Sequence, residues 1–290
     1  MEELSNGIIE IGVSLTGAEL QSLKKVKVDR EYIWNADAAY WNRHAPLLFP
    51  IVGNVWNKEF QINGKKYPMN QHGFVRDLPF RVIRRDRDTL HLQQESTEET
   101  LRLYPYDYRL DVLYTLCRNK LTVTWRVENT GAADMWFQIG AHPGFFYPRY
   151  RATDEIHGYF SFNEREKLVS TVIEPGGYLG EETFDVPLTD GMLPLTNRTF
   201  ECDTLLDTRG TVNRVTLHDK DKAPYLTVRF DMPVLALWSP CGGQAPFVCI
   251  EPWYGCCDRV RFEGEFDRRA FVNGLAPGSV FETRYDIIIE

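Results

Sequence analysis

Glu251 stands in the run Val248-Cys249-Ile250-Glu251-Pro252-Trp253-Tyr254-Gly255, between an apolar strand-like stretch and an aromatic, turn-forming one. A carboxylate in such a setting is costly to bury unless it is paired or used. Two other segments share its character: Gln71-His72-Gly73-Phe74-Val75-Arg76 and Gly140-Ala141-His142-Pro143-Gly144-Phe145. One carboxylate and two histidines, each beside Gly, Pro and aromatic residues, are parts for acid–base chemistry on a sugar. In an apolar, aromatic-lined site the pKa of a carboxyl rises towards the working pH, which suits a general base. A histidine beside it separates the roles, one group accepting a proton while the other donates. Pro143 restricts His142 to extended or turn backbone, so its ring leaves the strand end in a fixed direction. Each residue also has a plainer reading: a carboxylate holding the backbone of residues 253–255, a satisfied core histidine at 142, a loop histidine bonded to carbonyls at 72. The segments lie about 70 and 110 residues apart, so only the fold can bring them together.

The elements that must position them are strands. Leu121, Val123, Trp125 and Val127 alternate with Thr122, Thr124, Arg126 and Glu128, and the run ends at Asn129-Thr130-Gly131. That is a half-buried strand running into a turn. Leu110, Val112, Tyr114 and Leu116 repeat the pattern, as do Leu226, Val228 and Phe230. Turn signals recur at Asn63-Gly64, Pro175-Gly176-Gly177, Asp190-Gly191, Arg209-Gly210 and Pro277-Gly278. No amphipathic helix longer than about three turns stands out. Short strands without βαβ alternation predict an all-β, antiparallel sandwich or barrel. No linker, repeat or low-complexity tract interrupts residues 1–290, which predicts one domain; the mixed-sign run Arg81 to Arg87 reads as a solvated strand or turn.

Composition narrows the function classes. A 290-residue chain with 43% hydrophobic and 13% aromatic content can bury a large core. A net charge of −8 argues against a broad nucleic-acid or anionic-membrane footprint, although a local arginine cluster can still attract a small anion. The N-terminal residues carry no basic-then-apolar signal, and no apolar run approaches the roughly 18–20 residues that span a bilayer. Six cysteines without a CxxC pair predict reduced thiols and a cytoplasmic location, with Cys256 and Cys257 packing as small apolar groups.

His72-Gly73-Phe74-x-Arg76, Gly140-Ala141-His142-Pro143-Gly144-Phe145, Phe200-x-x-Asp203-Thr204-Leu205 and Cys249-Ile250-Glu251-Pro252-Trp253-Tyr254-Gly255, in that order and over nearly the whole chain, resemble the motifs of the aldose 1-epimerases, or mutarotases, in particular their bacterial LacX-like branch. The resemblance implies a large antiparallel β-sandwich of the galactose mutarotase type (a supersandwich) and a reaction at the anomeric carbon that needs no metal or cofactor. It implies Glu251 as the base that takes the C1 hydroxyl proton and His142 as the acid that protonates the ring oxygen. His72 and Asp203 would bond sugar oxygens. The implied partner is a small-molecule sugar or sugar phosphate, bound by a monomer or homodimer. Phe145, Trp238 and Trp253 are candidate platforms for the apolar face of a sugar.

One departure is expected to matter. Laid on the family's pattern, Asn54 stands where an arginine usually bonds sugar oxygens, and an amide offers neither the charge nor the five-donor fork. Arg43 or Arg76 could compensate, and a guanidinium at Arg76 would suit a phosphate. Three readings follow: an epimerase acting on a hexose or hexose phosphate, a catalytically silent sugar-binding protein of the same fold, and a glycoside hydrolase pairing Glu251 with Asp203. The last leaves both histidines without a role.

Overall fold

The computed structural model describes residues 1–163, 166–201, 203–240, 242 and 244–290. Two antiparallel sheets dominate. The nine-stranded sheet runs from Met192–Thr196 through Ile156–Phe162, Arg214–His218, Pro224–Phe230, Val280–Ile289, Lys120–Asn129, Tyr108–Cys117 and Thr89–Glu95 to Arg81–Arg85 at its far edge. The second sheet runs Tyr178–Pro187, Lys167–Glu174, Leu205–Asp207, Val234–Trp238, Phe247–Tyr254, Ile139–Ala141 and Leu47–Leu48, with Gly144–Phe146 also paired to Phe247–Tyr254.

The alternation seen in the sequence becomes cross-strand pairing. Leu121, Val123, Trp125 and Val127 lie opposite Leu116, Tyr114, Val112 and Leu110, and all eight are buried. Side-chain period two makes any one-residue slip costly, because it would turn that whole row to solvent. Asn63 and Gly64, both at positive φ (50° and 74°), close the hairpin between Glu59–Ile62 and Lys65–Pro68 as a two-residue turn. The six-residue helix Glu98–Leu103 starts on a capping box formed by Thr97 and Thr100. Arg81–Arg85 is an exposed edge strand, in keeping with its charge. No helix among the described residues is long and apolar enough to cross a membrane.

Of the cysteines expected as thiols, Cys117, Cys249, Cys256 and Cys257 are free; Cys202 and Cys241 lie outside the described residues. Cys256 and Cys257 are buried with Leu48, Val52 and Trp253 around them.

One backbone junction fixes the first histidine. His72 and Gly73 both have positive φ (66° and 74°). Gly73 pairs with Phe49, and a Cβ placed on it would lie 2.1 Å from the Phe49 carbonyl oxygen. The Phe49 carbonyl also accepts from the amides of Phe74 and Val75 at 3.1 and 3.3 Å, so it cannot simply move aside. Gly73→Ala should therefore cost about 3–5 kcal/mol, the sum of left-handed strain and a backbone clash. Gly64→Ala is the control: it has the same φ with nothing within 4 Å, and should cost only about 1–2 kcal/mol. Equal losses in the two variants by thermal unfolding would remove the steric argument.

Candidate active site

The register of the second sheet brings Glu251 and His142 together. Ile139 lies opposite Tyr254 and Gly140 opposite Trp253; beyond the proline, Gly144 lies opposite Cys249. Continuing the same register through Ala141 and Pro143 sets His142 directly across from Glu251. Gly140 is needed here, since a Cβ would lie 2.5 Å from the Trp253 ring. The indole of Trp253 in turn donates to the Ala141 carbonyl at 3.1 Å, fixing the strand end from which His142 projects.

His142 Nε2 lies 3.2 Å from Glu251 Oε2. That is within ion-pair reach, yet the atoms are not aligned as a hydrogen bond. Among the described residues, Glu251 Oε2 and His142 Nδ1 have no hydrogen-bond partner, although Glu251 is 1% exposed and His142 9%. Burial raises the Glu251 carboxyl well above its ordinary value, and the nearby Asp203 raises it further. Burial also pushes His142 down to about 3, against a backbone hydrogen bond that favours its charged form. Both shifts favour the neutral form of each group.

The His142 ring is held between indoles. Trp41 stacks on it at 4.7 Å between centroids and 27° between planes, while Trp238 meets its plane edge-on at 5.6 Å. His72 stands edge-on to it at 5.5 Å. The Gly53 amide donates to His72 Nδ1 at 3.1 Å, and the His72 amide donates to the Gly53 carbonyl at 2.9 Å. The first bond fixes the tautomer: Nε2 carries the proton and is the donor left over. Burial, followed by the nearby His142, Arg76 and Arg43, holds His72 well below its ordinary value, hence neutral.

These side chains line one cavity of about 370 Å³, whose walls include Trp41, His72, Arg76, His142, Asp203, Trp238, Glu251 and Trp253. Asp203 reaches it from a left-handed turn (φ 77°), where Thr204 donates to its carboxylate at 3.0 Å. Arg76 donates one Nη to the Gln71 carbonyl at 2.8 Å and approaches Asp77 only at 3.9 Å, leaving its buried Nε without a partner. Arg43 holds Asp77 more closely, at 2.8 Å. Burial, then Arg43, lowers the Arg76 pKa.

Six of the seven residues singled out from the sequence thus share a cavity. Asn54 is the exception: it does not line the cavity, and its amide donates to the Gly176 carbonyl at 2.9 Å, tying down the 176–177 turn at the rim. Phe145 is another, being fully buried in the core beneath the site. Trp41 was missed. Its only signal is a tryptophan inside the turn-rich segment Asn35-Ala36-Asp37-Ala38-Ala39-Tyr40-Trp41, where nothing in the local pattern calls for a core residue.

Comparison with known proteins places this geometry in context. A family model described as aldose 1-epimerase matches residues 2–266. The plasmid and chromosomal LacX proteins of Lactococcus lactis subsp. lactis are each 29% identical over a 296-residue alignment covering 99% of this chain and 98% of theirs. A galactose mutarotase related enzyme from Lactobacillus acidophilus superposes with a TM-score of 0.93 at 32% identity, covering 100% of this chain and 97% of that one. A galactose mutarotase-like protein from Lactobacillus casei gives a TM-score of 0.94 at 28% identity over 100% of both chains.

Proposed function

The chain belongs to the aldose 1-epimerase family, and from that premise we propose that it interconverts the α and β anomers of a hexose or hexose phosphate by ring opening and reclosure. The observation that carries this reading is the buried His142–Glu251 pair, 3.2 Å apart, with unused hydrogen-bonding capacity on both groups. Binding a sugar does not require such a pair. Moving one proton between a hydroxyl and a ring oxygen does.

In this reading the Glu251 carboxylate takes the proton from the C1 hydroxyl while the His142 imidazolium protonates the ring oxygen. The C1–ring oxygen bond breaks and a free aldehyde forms. Rotation about C1–C2 presents the other carbonyl face, and the two groups return their protons with roles exchanged. The charged pair has the same proton count as the neutral pair of the empty site, so only the proton's place within the pair has to change. A C1 hydroxyl donating to the carboxylate and a ring oxygen accepting from the imidazolium favour the charged form. His72 Nε2–H and Asp203 would bond ring hydroxyls, with Trp253 and Trp238 against the C–H face. Positioned acid and base, each contributing about 10²–10⁴-fold, suffice for a reaction that already proceeds in water.

Anomer exchange followed by saturation-transfer NMR, for glucose, galactose and their 6-phosphates, tests the reading and names the sugar. The unpaired Arg76 Nε motivates a second arm. Arg76→Ala should lower kcat/KM for a phosphorylated sugar by about 10- to 100-fold, the loss of a charge-assisted hydrogen bond, and much less for the unphosphorylated parent. Equal losses on both would remove the phosphate assignment. Binding of a sugar without any exchange above the buffer rate would favour the silent sugar-binding reading instead.

A further inference from the structure

Cys249 takes no part in the chemistry above, yet its thiol is the third member of a buried cluster. Ligand atoms of His142, Cys249 and Glu251 all lie within 4.8 Å of one another. The strand Phe247–Tyr254 explains why. Residues 249 and 251 are two apart and share a face, and the His142 segment runs antiparallel alongside them. We propose that His142, Cys249 and Glu251 form a binding site for a single divalent cation of the zinc class at the cavity floor, and that its occupation shuts off the acid–base pair. The second clause rests on the function proposed above; the first does not.

Three observations carry the site. The first is the ligand set: one thiolate, one imidazole and one carboxylate are the donors that zinc takes, and three protein ligands with one open position is a common zinc arrangement. The second is the bite. Two ligand atoms at zinc distances of about 2.05 Å and a tetrahedral angle stand roughly 3.3 Å apart. His142 Nε2 and Glu251 Oε2 already stand 3.2 Å apart without hydrogen bonding each other. From an upper limit of 4.8 Å, the thiol must close at most about 1.2 Å to reach the roughly 3.6 Å spacing expected between a zinc-bound sulfur and nitrogen. The third is the unused capacity of Glu251 Oε2, on a carboxylate only 1% exposed that lines the cavity.

Binding forms one bond each to sulfur, nitrogen and oxygen, displaces water from the hydrated ion, and releases the thiol and carboxyl protons to solvent. Affinity should therefore rise with pH.

Zinc titration in competition with a chromophoric chelator tests this on the intact protein, with calorimetry in buffers of different ionisation heat to count protons. One equivalent should bind, with an affinity at least tenfold weaker in Cys249→Ala. Cys249→Ser serves as a second variant should the alanine destabilise the packing. Metal-free anomer exchange in each variant gives the baseline against which inhibition by zinc is read. Binding undiminished by both substitutions, or no stoichiometric zinc at all, would overturn the site. Stoichiometric zinc with exchange at full rate would overturn the inhibition while leaving the site. A wild type that exchanges no sugar but binds zinc through Cys249 would sink the proposed function alone.

Discussion

On the proposed function, Glu251→Gln should lower the catalysed rate of anomer exchange by about 10²–10⁴-fold, with little change in KM and an intact fold. The amide keeps the shape and can still hydrogen-bond a hydroxyl, but it cannot take a proton from one. Near-normal turnover would rule out the base. The same variant has a second, independent signature in its stability. Because burial raises the Glu251 carboxyl, the folded chain keeps a proton that the unfolded chain has lost above the ordinary value of 4.5. Wild-type stability therefore falls as pH rises through the window from 4.5 up to the raised folded value, by about 1.4 kcal/mol per pH unit where the difference is a full proton. Glutamine does not titrate, so the variant should gain on the wild type as pH rises above 4.5. His142 acts in the opposite sense: lowered to about 3, it binds its proton only in the unfolded chain between that value and 6.5, and stability is lost as pH falls through that range. That term is common to both proteins, so the difference in unfolding temperature across pH isolates Glu251. A constant difference would mean that the carboxyl is not raised.

The same pair of shifts shapes the activity profile. His142 gains a second proton for the pair only near pH 3, and Glu251 loses the first well above 4.5. The one-proton form that the reaction needs spans the interval between, so the rate should fall on the acid side only near pH 3 and on the alkaline side only above the ordinary carboxyl value of 4.5.

Legibility from the sequence followed the range of the interactions concerned. Alternation in residues 108–129 gave both strands and the buried face, because period two is local and the hairpin register pairs like with like. The family's motifs marked Glu251, His142, His72, Asp203, Arg76 and Trp253, and the cavity contains all six. What no local pattern carries is register: that His142 faces Glu251 depends on two strand pairings flanking Pro143. Asn54 stands off the cavity lining for a related reason. Its place in the chain says that it adjoins His72, through Gly53, but not that the 176–177 turn would fold over and claim its amide. Trp41 arrives from a segment with no periodic character at all. Its place is set by contacts remote from its neighbours in sequence: the Trp34 indole donates to its carbonyl at 2.8 Å, and His142 and Phe247 stack on its ring.

His142→Asn should match the loss in Glu251→Gln, about 10²–10⁴-fold in the catalysed rate, with a modest loss of binding. Asparagine is neutral like the buried histidine, so the fold does not have to accommodate a new charge. It leaves the ring oxygen without a proton donor when the C1–oxygen bond breaks, and it removes the ring on which Trp41 stacks. The decisive comparison is the double variant. If one proton shuttles within a pair, removing either member disables both, and Glu251→Gln with His142→Asn should be barely slower than either alone. Two independent contributors would instead multiply their losses. An unchanged rate in His142→Asn would reassign the acid. The neutral His72, 5.5 Å from the His142 ring with its Nε2 proton fixed by the Gly53 amide, would be the next residue to substitute.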